Sequence, residues 1–131
     1  MPQHTGAMTG PLALLVYEKL LPGSQLLHKL KDLGYRVLPV PDPADLASTA
    51  EREKPLVVFV DLEPRFDKTS GAITELRGNT ATNHVPVIAF SSARNEAAQE
   101  KARVAGATLV VQDTTVLAHL GQFLEQALRV D

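Results

Sequence analysis

The stretch PLVVFVDLEP, residues 55–64, contains five consecutive apolar residues, Leu56–Val60, followed directly by the acidic residue Asp61. A short apolar run that is rich in β-branched residues is typical of a strand covered on both faces, as in a parallel sheet. The carboxylate after it must lie where water, a metal or a partner can reach it, because burying an unpaired charge is costly. The stretch therefore predicts a buried strand with a polar group at its carboxyl end.

Four other short apolar runs accompany this stretch along the chain. Their short length and their content of β-branched residues favour strands over helices. The run before Phe90 is also apolar at nearly every position, which again indicates a strand that is buried on both faces. The four runs are PLALLVY (11–17), YRVLPV (35–40), VPVIAF (85–90) and ATLVVQ (107–112).

Segments with helical spacing follow the strands. GSQLLHKLKDLG carries four leucines on one face and has Gly34 as a stop signal. The next segment opens with Asp42 as the predicted N-cap and Pro43 at the first helical position. SGAITELRGN predicts a short helix, and the segment after it predicts a helix between Asn95 and Gly106. The four leucines are Leu26, Leu27, Leu30 and Leu33.

The last segment, VLAHLGQFLEQALRV (116–130), predicts one helix with a single apolar stripe. The valines at 104, 110 and 111 are predicted to belong to the core. The stripe consists of Leu117, Leu120, Phe123, Leu124, Ala127 and Leu128.

The alternation of strands and helices decides the predicted fold class. Right-handed crossovers between short strands give a parallel sheet with helices on both faces. Five such units in one domain fit the flavodoxin-like strand order 2-1-3-4-5. A Rossmann dinucleotide fold is disfavoured because YEKLLPGS, not G-x-G-x-x-G, follows the first strand. A barrel would need a longer chain.

Composition narrows the class of protein further. The chain has 131 residues, 44% hydrophobic and 21% charged, which suits one globular domain over residues 11–131. The net charge of −2 gives no indication of a nucleic-acid or membrane partner, and the absence of cysteine excludes disulfides and thiolate metal sites. Residues 1–10 lack the pattern of a signal peptide and predict a flexible tail. We expect a cytoplasmic protein.

Polar side chains stand at the ends of four of the predicted strands. Because ligands of such sheets bind at the carboxyl ends of the strands, near the switch point between the first and third, these residues form the candidate site. They are Tyr17 and Glu18 after the first strand, Asp61 after the third, Ser91 and Ser92 after the fourth, and Gln112 and Asp113 at the fifth.

Several segments together resemble response-regulator receiver domains, the family of the bacterial chemotaxis regulator. VFVDLEP resembles the family's third strand with its terminal aspartate, and HVPVIAFSSA resembles the fourth strand with its terminal Ser or Thr. ARVAGATLVV resembles the Ala-Gly-Ala entry to the fifth strand, and YRVLPVPDPADL resembles the second strand and helix. The resemblance runs from about residue 11 to the end of the chain and implies two-component, or phosphorelay, signalling.

The resemblance implies roles for three of the residues. Asp61 would be the phosphoacceptor, and Ser91 would donate a hydrogen bond to a phosphoryl oxygen. Glu18 and Asp61 would be ligands of Mg²⁺, which prefers oxygen donors and retains several waters. Residue 63 would contribute only its backbone carbonyl.

The chain departs from the family pattern at two strand ends. The family has two adjacent acids after its first strand, whereas this chain has Tyr17 and Glu18. The family's lysine at the fifth strand is missing, and either Gln112 or Asp113 stands there. The Pro–Gly spacing after Asp61 also differs. These departures favour an alternative, a degenerate receiver that binds a partner or dimerises without phosphorylation.

The resemblance also implies partners. A histidine kinase or a phosphotransfer protein would supply the phosphoryl group. An effector protein, or a second copy of the chain, would bind through the last two predicted helices. The last of these has exposed positions that are rich in Ala and Gln. VFVDLEP also resembles the Asp-x-Asp strand end of phosphatases of the haloacid-dehalogenase type, but its second acid is Glu63 and no Gly-Thr follows. We therefore expect a signalling module, not an enzyme.

Overall fold

The structure, a computed structural model of the chain, describes residues 10–17, 20–62, 66–92 and 94–128. Within these ranges, five parallel strands form one sheet in the order 2-1-3-4-5, as the sequence predicts. The architecture is therefore flavodoxin-like. The strands are β1 (Leu12–Val16), β2 (Arg36–Val40), β3 (Val57–Asp61), β4 (Val87–Ser91) and β5 (Leu109–Gln112).

Six α-helices connect and cover these strands in the described part of the chain. A short 3₁₀ turn, Pro43–Asp45, precedes the second of them. The helices are α1 (Leu20–Asp32), α2 (Leu46–Glu53), α3 (Phe66–Arg77), α4 (Glu96–Ala105), α5 (Asp113–Ala118) and α6 (Leu120–Leu128).

The predicted helix signals after β2 and β4 are confirmed. The side chain of Asp42 accepts a hydrogen bond from the backbone N of Ala44 at 3.0 Å and so caps the 3₁₀ turn that leads into α2. The side chain of Asn95 accepts from the backbone N of Ala98 at 3.2 Å and caps α4. Gly106 ends α4 with φ of 113°, a left-handed conformation that glycine adopts without strain.

The prediction of a single last helix is wrong. The chain forms α5 and α6, separated at His119, whose φ of −129° and ψ of 36° are not helical. Gly121 lies two residues after the break, and its low helix propensity weakens a continuous helix at this point. The apolar stripe still faces the sheet, since Leu120 and Leu124 are buried.

Two of the predicted apolar positions lie at the surface. Val104 was predicted to belong to the core, but its side chain is 78% exposed on the outer face of α4. Leu33 was predicted to continue the leucine face of α1, but the helix ends at Asp32 and Leu33 is 52% exposed. Val110 and Val111 are half-buried and pack against opposite sides of the sheet.

The core consists of two apolar clusters, one on each face of the sheet. In β3, Val58 and Val60 belong to one cluster, whereas Val57 and Phe59 belong to the other. All four side chains are fully buried. The uninterrupted apolar run in the sequence therefore reflects a central strand that both layers of helices cover.

The predicted tail at residues 1–10 falls mostly outside the described residues, which begin at Gly10. The carbonyl of Gly10 accepts a hydrogen bond from Nε of Arg36 at 2.8 Å. Among the helices of the described ranges, none has both the length and the apolar character needed to cross a membrane.

Candidate functional site at the carboxyl edge of the sheet

The last residues of the three adjacent strands β3, β4 and β5 meet at one edge of the sheet. Asp61 ends β3 and pairs in register with Phe90, while Ser91 ends β4 and pairs with Gln112. Asp61 and Ser91 therefore stand on neighbouring strands at the same edge, where the sequence predicts the site. Since β3 is the middle strand of the five, Asp61 lies at the centre of this edge.

Asp61 is held in a closely packed position. Only 5% of its surface is accessible to solvent, and the next residue, Leu62, is fully buried. The backbone N of Leu62 donates to the carbonyl of Phe90 at 3.0 Å, so the sheet pairing extends past Asp61. The carboxyl group therefore projects from a rigid backbone, which is the condition for a pre-positioned reactive group.

Ser91 is 1% exposed and its hydroxyl takes part in a small network. The hydroxyl donates to the carbonyl of Ser92 at 3.2 Å. The side-chain amide of Gln99, from α4, donates to the Ser91 hydroxyl at 3.1 Å and to the Ser92 carbonyl at 3.2 Å. The sequence analysis did not identify Gln99, because a single polar residue in an amphipathic helix carries no periodic signal.

Tyr17 occupies the position directly after β1. Its half-buried ring lies against α1 at Gly23, where a Cβ atom would overlap the ring. The absence of a side chain at Gly23 therefore allows the aromatic ring to pack between β1 and α1. The other residue predicted at this strand end, Glu18, lies outside the described residues.

Gln112 and Asp113, the two candidates for the place of the family's lysine, follow each other at the end of β5. Gln112 is the last residue of the strand and is exposed, whereas Asp113 is the first residue of α5. A carboxylate oxygen of Asp113 accepts a hydrogen bond from the backbone N of Thr114 at 2.6 Å. A neutral amide and a carboxylate thus occupy the strand end where the family's lysine would stand.

Of the two predicted Mg²⁺ ligands, Asp61 lies within the described residues and Glu18 does not. Asp61 provides a carboxylate at the site, which is the ligand type that Mg²⁺ prefers. Within the described ranges, no group of three or more His, Cys, Asp or Glu side chains could hold a metal ion. Such a group is not required for Mg²⁺, which is commonly bound through one or two carboxylates and retained waters. Asp61 therefore fits magnesium chemistry as one of its ligands.

Comparisons with known proteins identify the fold. No family model and no curated protein matches the chain. The receiver domain of a Pseudomonas aeruginosa sensor histidine kinase, with a magnesium ion coordinated in its active-site cleft, superposes with a TM-score of 0.81 at 24% identity, covering 92% of this chain and 98% of that one. The chain has the receiver-domain fold.

Two further solved structures support this likeness. A response regulator from Chloroflexus aurantiacus gives a TM-score of 0.79 at 16% identity, over 90% of this chain and 98% of that one. A BeF₃-activated N-terminal receiver domain from Klebsiella pneumoniae gives 0.77 at 21% identity, over 91% and 99% of the two chains. At these identities the likeness is one of fold, and the receiver-fold chain carries its own set of residues at the site.

Proposed function

We propose that this receiver-fold chain is a signalling module of a two-component system in which Asp61 accepts a phosphoryl group. The observation that carries the proposal is the position of Asp61. It is the last residue of the middle strand, next to Ser91 on the neighbouring strand, at the edge of the sheet where such folds bind ligands.

The proposed reaction transfers a phosphoryl group without a change in oxidation state. A carboxylate oxygen of Asp61 forms a bond to the phosphorus of a donor, and the bond between phosphorus and the leaving group breaks. With acetyl phosphate as the donor, acetate leaves. The product is an acyl phosphate on Asp61, at the same edge of the sheet as Ser91 on the neighbouring strand.

Two other groups would assist this transfer. Asp61 and Glu18 would hold Mg²⁺, which neutralises charge on the phosphoryl oxygens and aligns the reacting groups. The Ser91 hydroxyl would donate a hydrogen bond to a phosphoryl oxygen. The low exposure of both Asp61 and Ser91 supports these roles, because electrostatic interactions are stronger where water is excluded.

The physiological partners follow from this chemistry. A histidine kinase or a phosphotransfer protein in the cytoplasm would supply the phosphoryl group. The modified chain would then act by contact with an effector protein or by self-association through α4, α5 and α6.

The proposal is tested by intact-mass measurement after incubation with acetyl phosphate and Mg²⁺. We expect the wild-type chain to gain the mass of one phosphoryl group. The gain should disappear when Mg²⁺ is chelated and in Asp61→Asn, which keeps the shape of the side chain but lacks the nucleophilic carboxylate. No gain of mass over many hours in the wild type contradicts the proposal.

Ser91→Ala tests the second residue of the site. Loss of one hydrogen bond to the charged phosphoryl group in the transition state should slow uptake by about tenfold or more. The rate is measured by the same mass assay. A rate equal to that of the wild type would remove Ser91 from the proposed mechanism.

A second candidate function is a receiver-like domain that binds a partner or dimerises without phosphorylation. It is favoured by the Tyr17 ring after β1, where the family has an acid, and by Gln112 and Asp113 at the end of β5, where the family has a lysine. This candidate predicts equal partner affinity or self-association for wild type and Asp61→Asn. A large loss of affinity in the variant would count against it.

A further inference from the structure

The side chain of Gln99 connects α4 to the end of β4. Its amide nitrogen donates two hydrogen bonds, to the hydroxyl of Ser91 at 3.1 Å and to the carbonyl of Ser92 at 3.2 Å. The Ser91 hydroxyl in turn donates to the Ser92 carbonyl at 3.2 Å. Gln99 is half-buried and Ser91 is buried, so water competes poorly for these bonds.

This arrangement conflicts with a contact between Ser91 and a phosphoryl group. A serine hydroxyl has one proton to donate, and the Ser91 proton is directed to the Ser92 carbonyl. Donation to a phosphoryl oxygen on Asp61 requires this bond to break. Gln99 opposes a movement of the Ser91 side chain toward Asp61, because its amide donates both to the Ser91 hydroxyl oxygen and to the Ser92 carbonyl in the present geometry.

We propose that Gln99 is a positioning residue that holds Ser91 in a resting orientation and thereby couples the phosphorylation site to α4. The inference rests on the proposed function of Asp61. Engagement of Ser91 by the phosphoryl group breaks the bond between Gln99 and the hydroxyl and releases the first turn of the helix from the end of β4. Ligand binding at Asp61 then shifts the population of the released state.

The side of α4 that points away from the sheet lies at the protein surface. Together with α3 it borders a groove of about 700 Å³, whose lining includes Gly71, Ala97 and the exposed Val104. The first turn of α4 keeps its own cap, since Asn95 still accepts from Ala98. Release of Gln99 is therefore expected to shift α4 relative to β4 without unfolding the helix. The shape of the groove between α3 and α4 should change with this shift.

The inference is tested with beryllofluoride, a mimic of the phosphoryl group, and Mg²⁺. Binding to the wild-type chain and to Gln99→Leu is measured by titration of backbone amide NMR signals. Leucine has a similar size and no hydrogen-bond donor, so the variant no longer resists reorientation of Ser91. We expect the variant to bind beryllofluoride about fivefold to tenfold more tightly, which corresponds to the net value of one hydrogen bond. Gln122→Leu, on the exposed face of α6, serves as the matched control and should bind as the wild type does.

Hydrogen exchange of the resting protein provides a second measurement. In Gln99→Leu without ligand, the backbone amide protons of Ala98 and of residue 99 should exchange several times faster than in the wild type, because the first turn of α4 is held less firmly. Equal exchange rates and equal beryllofluoride affinities in wild type and variant would contradict the role of Gln99 but not the proposed function of Asp61. A wild-type chain that binds neither beryllofluoride nor a phosphoryl group contradicts the proposed function, and the coupling with it.

Discussion

The two edges of the sheet differ in how the polar groups there are hydrogen-bonded. At the amino edge, where β4 and β5 begin, one arginine donates hydrogen bonds to backbone carbonyls of two connecting segments, the one before β4 and the one before β5. At the carboxyl edge, Asp61 and Ser91 are more deeply buried than this half-buried arginine, and the Ser91 hydroxyl is bound by one amide from α4. The difference indicates that the amino edge stabilises the fold and that the carboxyl edge is arranged for binding and release.

The arginine at the amino edge is Arg77, the last residue of α3. Its Nε donates to the carbonyl of Gly106 at 2.8 Å, and Nη1 donates to the carbonyls of Val85 and Asn83 at 2.7 and 3.0 Å. Its Nη2 donates to the hydroxyl of Thr108 at 3.1 Å. Burial lowers the pKa of Arg77, but these four acceptors compensate the desolvated guanidinium.

Thr108 extends this network into the sheet. Its hydroxyl accepts from the backbone N of Val87 at 3.0 Å, and its backbone N donates to the Val87 carbonyl at 2.8 Å. The starts of β4 and β5 are therefore fixed to each other and to α3. A polar network in which every member is paired rigidifies its surroundings.

The largest expected effect is that of Arg77→Ala on stability. The substitution leaves partly buried carbonyl groups without donors, so we expect the free energy of unfolding to fall by about 2–4 kcal/mol. Urea denaturation measures the change. Arg103→Ala is the control, because Arg103 is exposed and its side chain forms an ion pair with Glu100 at the surface of α4; we expect a change within about 0.5 kcal/mol. A loss below about 1 kcal/mol in Arg77→Ala would contradict the stabilising role of the amino edge.

Gly106→Ala should have the next largest effect. The residue has φ of 113°, and a Cβ atom there would lie 2.8 Å from Cγ of Arg77, so both backbone strain and displacement of the arginine oppose the substitution. We expect a loss of about 1–3 kcal/mol in urea denaturation. Gly71→Ala in α3 is the matched control, since, among the described residues outside the local helix backbone and the two chain neighbours, no atom lies within 4 Å of its Cβ position. It should be neutral or stabilise the protein by up to about 1 kcal/mol. Equal effects of the two substitutions would show that the Arg77 network does not depend on Gly106.

The smallest expected effect concerns Tyr35, which precedes β2 at the amino edge. Burial raises the pKa of its phenol above the ordinary value of 10.0. The unfolded chain therefore releases this proton at a lower pH than the folded chain, so the folded state loses stability as the pH rises through and above this range. Denaturation at several alkaline pH values should show a smaller loss for Tyr35→Phe than for the wild type. Parallel pH dependences would mean that other groups control alkaline stability.

The sequence predicts the elements whose signals are local. The alternation of apolar runs with helical segments indicates the fold class and, through it, the strand order. The caps at Asp42, Asn95 and Gly106 lie where their residue types indicate. The break at His119 was missed because the apolar stripe continues across it. Val104 was misplaced because its apolar character says nothing about which side of α4 the sheet covers.

The candidate site was predictable only in part. The positions of Asp61 and Ser91 at one edge follow from strand ends in a parallel sheet. Their chemical roles stay predictions, and so does the role of Glu18. Gln99 and Arg77 could not be found in this way, because each acts through hydrogen bonds to groups that are distant in the sequence and carry no periodic pattern.

The most direct test of the account is to locate the phosphoryl group on the chain. The wild-type protein is incubated with acetyl phosphate and Mg²⁺ and then reduced with borohydride, which converts the acyl phosphate of an aspartate to homoserine. Peptide mass spectrometry then identifies the modified residue. We predict homoserine at position 61 and at no other carboxylate. Modification of Glu18 or Asp113 instead, or of no residue, would contradict the assignment of Asp61 as the phosphoacceptor.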